Sequence, residues 1–236
     1  MDVLNKTATE IAALELRKAI IRGDLEPGDR LVPAKLEKAM GMNRISIREA
    51  IRELVGTGLV ESATHKGAFI AEALDISELR EIFSLRYQLE GRAAYVGAQH
   101  ISEADIIRMD MLLDKFETIR DPFDGFFLNQ EFHMILYRAT GWRYLTKTIY
   151  RIFDQVLAFR SSLYRRLDHS LEIDLMDPKY LEAYLTDHRQ IVKHLTDKNP
   201  GMVQEMTVSH LERLGFDSIY QLYKKVVIKE SQEIVA

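Results

Sequence analysis

Apolar residues in the first third of the chain recur at helical spacing, in short runs closed by glycine. Ile11, Leu14, Leu16, Ala19, Ile20 and Ile21 predict one helix ending at Gly23. Leu25-Glu26-Pro27-Gly28-Asp29 is turn chemistry, with proline fixing φ and glycine accepting the awkward backbone angle. A second short helix, about Ala34 to Met40, ends at Gly41. Ile47, Ile51 and Leu54 then fall at i, i+4, i+7, the spacing of one buried stripe, while Arg44, Arg48 and Arg52 share another face. Asn43 is a favoured N-cap, which puts Arg44 in the first turn. Thr57-Gly58 closes this helix. Two strand-like segments follow, Leu59–Ser62 and Ala68–Ala71, around a tip holding His65, Lys66 and Gly67. Helix, helix, arginine helix and β-wing, in that order, predict a winged helix-turn-helix.

The pattern changes near Glu72-Ala73-Leu74-Asp75. Beyond it glycine and proline thin out, and helices are predicted at roughly 76–99, 102–120, 122–140, 143–167, 178–198 and 200–229. Breaks are expected at Ile101-Ser102, Arg120-Asp121-Pro122, Gly141, Asp168 to Pro178, and Asn199-Pro200-Gly201. The short connections favour neighbouring helices running antiparallel. The fold class expected is therefore mainly α: an N-terminal winged helix-turn-helix with a small β-wing over residues 1–72, and a C-terminal all-helical antiparallel bundle over residues 76–230.

Composition narrows the function. The 236 residues suffice for two compact domains, and the absence of cysteine excludes disulfide, thiolate-zinc and redox-thiol chemistry. No apolar run approaches the roughly 18 residues of a membrane span, and no signal-peptide pattern opens the chain, so a cytoplasmic protein with no membrane partner is expected. Charge alone does not reveal a nucleic-acid partner. The whole chain carries a formal −4, and residues 1–74 hold 11 lysines and arginines against 11 aspartates and glutamates. What favours DNA is segregation: a short helix presenting arginines from its N-terminal end suits the major groove. A solvated charged face would have the same spacing; the helices and wing around it favour the DNA reading.

A second constellation lies in the helical half. Asn129 and His133 are four apart on one helix face, and His188 and His210 lie on later helices. Three imidazoles and an amide oxygen could surround a divalent metal and leave positions open for ligand; hydrogen-bonded core histidines would have the same spacing. His100, His169 and His194 fit no such set. An enzyme reading has little support, because no Glu-x-x-His pair precedes any of the histidines and no His-Glu-x-x-His motif occurs.

The segment Gly23-Asp24-Leu25-Glu26-Pro27-Gly28-Asp29-Arg30-Leu31 resembles the opening signature of GntR-family transcription regulators. Gly41 to Ile51, Leu54, Gly58-Leu59-Val60 and Lys66-Gly67-Ala68-Phe69-Ile70 continue the resemblance over nearly all of residues 8–71. It implies a homodimer bound to a short palindromic operator. By position, Arg44 and Arg48 match the family's base-reading arginines, Asn43 and Ser46 its polar DNA-contacting positions, and His65, Lys66 and Gly67 its wing tip. Ala34 departs from the pattern, standing where many members carry another DNA-contacting arginine. Lys35 is a candidate phosphate contact there, but it cannot fork onto a guanine as arginine does, so a shifted operator preference is expected.

The C-terminal half is similar to the ligand-sensing FCD domain of the FadR-like subfamily, through Leu85-Arg86-Tyr87-Gln88-Leu89-Glu90, Asn129 to His133 with Ala139-Thr140-Gly141, His188-Arg189-Gln190-Ile191 and His210-Leu211. Many members bind a metal through an acidic or amide residue four before a histidine and two later histidines, which map to Asn129, His133, His188 and His210. The resemblance thus implies a divalent metal, zinc or nickel first, that anchors a small carboxylate effector. Arg86 is a candidate second anchor, or a structural partner of Glu90 at i+4. Asparagine replaces a common aspartate at 129, which removes a negative charge from the site. Effector binding would act on DNA through the linker near residues 72–76. The alternative is an architectural dimeric DNA binder with no metal and no effector.

Overall fold

The computed structural model describes residues 6–119, 121–167 and 178–235. Contacts between residues divide the chain into two compact units, Met1–Leu74 with Asp154–Ser162, and Asp75–Phe153 with Leu163–Ala236.

The first unit is built from three helices and a small sheet: α1 (Ala8–Arg22), β1 (Arg30–Leu31), α2 (Pro33–Met40), α3 (Arg44–Thr57), β2 (Val60–Ala63) and β3 (Gly67–Ile70). Local chemistry sets each boundary. Thr7 and Glu10 form a reciprocal capping box at the start of α1, and Gly23 ends it in the left-handed conformation. Asn43 accepts the Ser46 amide at 2.9 Å and so starts α3 where its cap preference places it. Gly41 and Gly58 close α2 and α3, both with positive φ. The core gathers Ala12, Leu16 and Ile20 of α1, Ile47, Ile51 and Leu54 of α3, and Leu59, Val60 and Ile70 of the sheet.

The sheet has three strands, not two. Its order is β1-β3-β2, all antiparallel, with Arg30 opposite Phe69 and Leu31 opposite Ala68 on one side of β3 and Val60 opposite Ile70 on the other. A two-residue strand has no alternation to read, so β1 was not anticipated. It fastens the Pro27-Gly28 turn to the wing, with the Gly28 amide donating to the Ile70 carbonyl and the Ile70 amide to that of Asp29. Within this unit the Arg17 guanidinium also forms a buried ion pair with Asp154 at 2.6 Å.

The second unit is helical: α4 (Ile76–His100), α5 (Glu103–Glu117), α6 (Pro122–Arg138), the flanking parts of α7 (Arg143–Arg166), α8 (Pro178–Thr196), α9 (Pro200–His210), a π-helical segment (Leu211–Asp217) and α10 (Ser218–Val235). Helix α4 packs on α6 and α9, α8 on α5 and α9, and α5 on α6. A β-carbon at Gly97 would collide with the Leu136 carbonyl oxygen, so this glycine sets how closely α4 approaches α6. The helix expected over 200–229 is interrupted by the π segment directly after His210. Seven residues are too few for the wider period to leave a mark on a hydrophobic pattern. The break expected at Asp168 falls, up to residue 177, outside the described residues, as do Arg120 and His169.

Candidate nucleic-acid interface and metal centre

The first turn of α3 exposes Arg44 and Ile45 and buries Ser46 and Ile47. Arg44 and Arg48 are both solvent-accessible, while Ile47, Ala50 and Ile51 on the opposite side are buried. Arg44 is paired with Glu37 of α2, Nε at 2.9 Å and Nη2 at 2.7 Å from one carboxylate oxygen. An exposed pair of this kind contributes little to stability and can be exchanged for another partner. Arg52 is paired with Glu49. Ser46 differs from its neighbours: it is 8 % exposed, so its hydroxyl offers little surface. Lys35, Asn43, His65, Lys66 and Gly67 are all exposed. At the wing tip His65 takes φ +63° and Gly67 φ +101°.

Two features of this surface were not anticipated. Ile45 in the first turn of α3 is 75 % exposed. It interrupts no stripe, so hydrophobic periodicity passes over it. Arg30 of β1 lies beside the wing, its guanidinium 3.5–3.6 Å from where a β-carbon on Gly67 would stand. The signal for Arg30 was hidden with the strand that carries it.

In the helical unit, His133 of α6, His188 of α8 and the last residue of α9, His210, are brought together. All three are buried, at 1 %, 0 % and 5 % exposure, and one ring nitrogen of each lies within 4.8 Å of the others. The Nε2 atoms of His133 and His188 are 3.2 Å apart. Asn129, one turn before His133, places Oδ1 3.2 Å from His188 Nε2 and accepts the Tyr184 hydroxyl at 2.8 Å.

The far side of each ring decides what faces inward. His188 Nδ1 lies 2.7 Å from the Tyr184 carbonyl, which can only accept, so Nδ1 carries the proton. His210 Nδ1 faces the Asp187 carboxylate at 3.2 Å, and Arg213 holds the other oxygen of that carboxylate. His133 Nδ1 faces the Tyr137 hydroxyl at 3.4 Å. That hydroxyl donates to Glu90 at 2.9 Å, leaving its oxygen to accept. Each outward contact is thus served by Nδ1, and the Nε2 atoms of His133 and His188 are left facing each other. Ligand tautomers in metal sites are fixed by outer partners in this way.

Electrostatics favour neutral rings at His133 and His188. Burial pushes the His133 and His188 pKa values well below the ordinary imidazole range, and His210 pushes both further down; Arg86 adds to the effect at His133 and His133 itself at His188. Burial raises the Asp187 carboxyl, but the hydrogen bonds and charges of His210 and Arg213 outweigh it and hold the group below its usual range. Burial and the Glu90 carboxylate drive the Tyr137 phenol well up, so it keeps its proton.

Neutral imidazoles with inward lone pairs are what a borderline cation takes. Four-coordinate zinc at about 2.1 Å from each nitrogen separates neighbouring ligands by roughly 3.4 Å, close to the 3.2 Å that separates His188 Nε2 from His133 Nε2 and from Asn129 Oδ1. The donor set therefore fits a metal, and Asn129 Oδ1 is the candidate fourth donor. Arg86 lies in the same buried network, bonded to Glu90 and with its guanidinium 4.7 Å and 4.5 Å from the ring centres of Phe83 and Phe153.

Comparison with known proteins decides the family. Residues 8–70 match the family described as bacterial regulatory proteins, gntR family, and residues 81–213, more than half the chain, match the FCD domain. The chain belongs to the gntR family, FCD type. It is accordingly a DNA-binding transcriptional regulator and not an enzyme.

Relatives of this gntR regulator include the uncharacterised HTH-type transcriptional regulator YdhC of Bacillus subtilis, 26 % identical over 200 residues, 83 % of this chain and 84 % of the relative. Another is the HTH-type transcriptional repressor GlaR of Escherichia coli, 25 % identical over 205 residues, 83 % and 89 % of the two chains. The solved structure of E. coli McbR/YncC superimposes with a TM-score of 0.73 at 20 % identity, covering 92 % of this chain and 99 % of that one. That likeness establishes the shared fold. Among the described residues of the regulator, no helix is long and apolar enough to cross a membrane.

Proposed function

We propose that this gntR regulator is a cytoplasmic homodimer whose affinity for a palindromic operator is set by a small organic acid bound at a metal in the helical unit. The observation that carries the reading is the set of three buried histidines whose Nδ1 atoms are tied to outer partners, with the Nε2 atoms of His133 and His188 facing each other. His133, His188, His210 and Asn129 hold the divalent metal, zinc or nickel in the first instance. Such an ion supplies Lewis-acid attraction for carboxylate or hydroxyl oxygens. Arg86, whose positive field reaches His133, is the second attraction for the effector's negative charge.

On the DNA side, Arg44 and Arg48 read base edges in the major groove, arginine forking onto guanine being the commonest specific contact. Asn43 serves at the mouth of that groove, while Ser46, its hydroxyl largely buried, acts through the helix start that it forms with Asn43. Ile45 meets a thymine methyl, the one apolar group a major groove offers. Lys35 and Lys66 neutralise phosphates, while His65 and Gly67 bring the wing to the minor groove with Arg30 beside them. For the effector to act, it must bind the DNA-competent and DNA-incompetent arrangements of the dimer with different affinity.

The test begins with selection of a preferred duplex from a random pool. Fluorescence anisotropy on that duplex is then followed as zinc or nickel and a panel of small hydroxycarboxylates are titrated. A metal-dependent shift in DNA affinity caused by at least one acid, and absent in His188→Ala, is the expected result. Salt-dependent DNA binding that neither chelator nor any acid alters would favour the architectural dimer instead.

A further inference from the structure

A recess with no histidine in its lining lies where α6 turns into α7. It is lined by Met134 and Arg138 of α6, Gly141 of the turn, and Arg143, Thr146, Lys147 and Tyr150 of α7, and encloses about 310 Å³. That is the small end of the range for ligand pockets. Its charged lining residues are all positive. Arg143 and Lys147 sit at i and i+4 on one helix face, a like-charge spacing that costs stability unless an anion comes between them. The recess also contains apolar surface from Met134 and Tyr150.

The start of α7 adds to this. Trp142 occupies the N-cap position and makes no side-chain hydrogen bond to the first turn, so the amides there lack the partner that caps α1, α3, α4 and α5. Backbone amides at a 24-residue helix N-terminus carry partial positive charge beside the two cations. Gly141 has open space where a β-carbon would stand, so the turn leaves the mouth clear. Arg138 is partly engaged by Glu131 at 3.3 Å.

We propose that this recess is a binding site for a small organic anion with an apolar body, its carboxylate between Arg143 and Lys147 and its ring or alkyl part against Met134 and Tyr150. The site is separate from the histidine centre and stands whether or not that centre holds a metal.

Benzoate is the probe, followed by ligand-observed saturation-transfer NMR on the full chain, with inorganic phosphate as competitor. The proposal expects benzoate to bind, to bind more tightly than phosphate, and to keep its affinity after chelator treatment of the protein. The double variant Arg143→Gln/Lys147→Gln should weaken benzoate by about tenfold or more, since two charge-assisted contacts are lost. Both residues are exposed, and a thermal melt of the variant checks that the fold is kept. A second variant, Thr146→Trp, fills the recess without removing a charge and should also abolish binding. Undiminished binding in both folded variants, no binding by the native chain, or phosphate as tight as benzoate would each overturn the assignment. Loss of binding on chelator treatment alone would place benzoate at the histidine centre and overturn it equally.

Discussion

Asn129 and His188 share a hydrogen-bonding problem. His188 spends its only proton on the Tyr184 carbonyl, so Nε2 offers a lone pair to an amide oxygen 3.2 Å away. Either a cation lies between them or the amide turns and donates its N–H. A carboxylate could not take the second course, so the asparagine can satisfy His188 without metal. Asn129→Asp should therefore tighten zinc or nickel binding by about tenfold or more, read by competition with a chromophoric chelator, because a full negative charge joins the donor set. The same neutral rings impose a pH dependence. With His133 and His188 depressed in the folded state, the unfolded chain binds more protons below its imidazole pKa of about 6.5. Their neutral burial is free of this penalty above that pH and loses stability progressively below it. Chelator-treated protein should melt at falling temperature from about pH 6.5 downward, and a flat profile between pH 7 and 5 would contradict the burial argument. On the other unit, Arg44→Ala or Arg48→Ala should each cost about 1–3 kcal/mol of specific DNA binding and relax the preference for one base pair. Lys35→Ala should weaken all duplexes alike and reduce the salt slope by about one.

Among the elements, close packing marks Gly97 as the most sensitive position of the bundle. A methyl there meets the Leu136 backbone, which cannot rotate aside, so α4 and α6 must separate. Gly97→Ala is expected to destabilise by about 1–3 kcal/mol despite alanine's better helix propensity, measured by urea unfolding. Element-level chemistry was also the most legible part of the sequence. Asn43, Gly23, Gly41 and Gly58 bound helices where cap preference placed them, and the apolar stripe Ile47, Ile51, Leu54 is the buried face of α3. What escaped has a physical reason in each case. Strand β1 is too short for alternation, and with it went Arg30. The π segment after His210 keeps a helical pattern, and its role in presenting Arg213 to Asp187 could not be read from spacing. The histidine set was visible as residues, but its convergence depends on three helix packings that no local pattern encodes. The partners on Nδ1, which turn a cluster into a donor set, are a tertiary property altogether.

At the scale of the whole molecule, a DNA-reading unit and a unit with a buried donor set lie in one chain, and family membership makes the regulator function common to both. Near-neutral charge over the first 74 residues suits a regulator that must release DNA, since counterion release supplies most nonspecific affinity. To change operator occupancy from nearly full to nearly empty, the effector must favour one arrangement by several kcal/mol, more than a single surface contact provides. The metal-anchored carboxylate proposed above would have that capacity. The measurement that tests it most directly is metal content by elemental mass spectrometry, on protein purified without a histidine tag beside a His188→Ala variant. Near-stoichiometric divalent metal in the native protein, lost in the variant, is the predicted result. No metal in the native protein, even after incubation with zinc or nickel, would contradict the metal-anchored account and leave a DNA binder whose effector, if any, is held by other means.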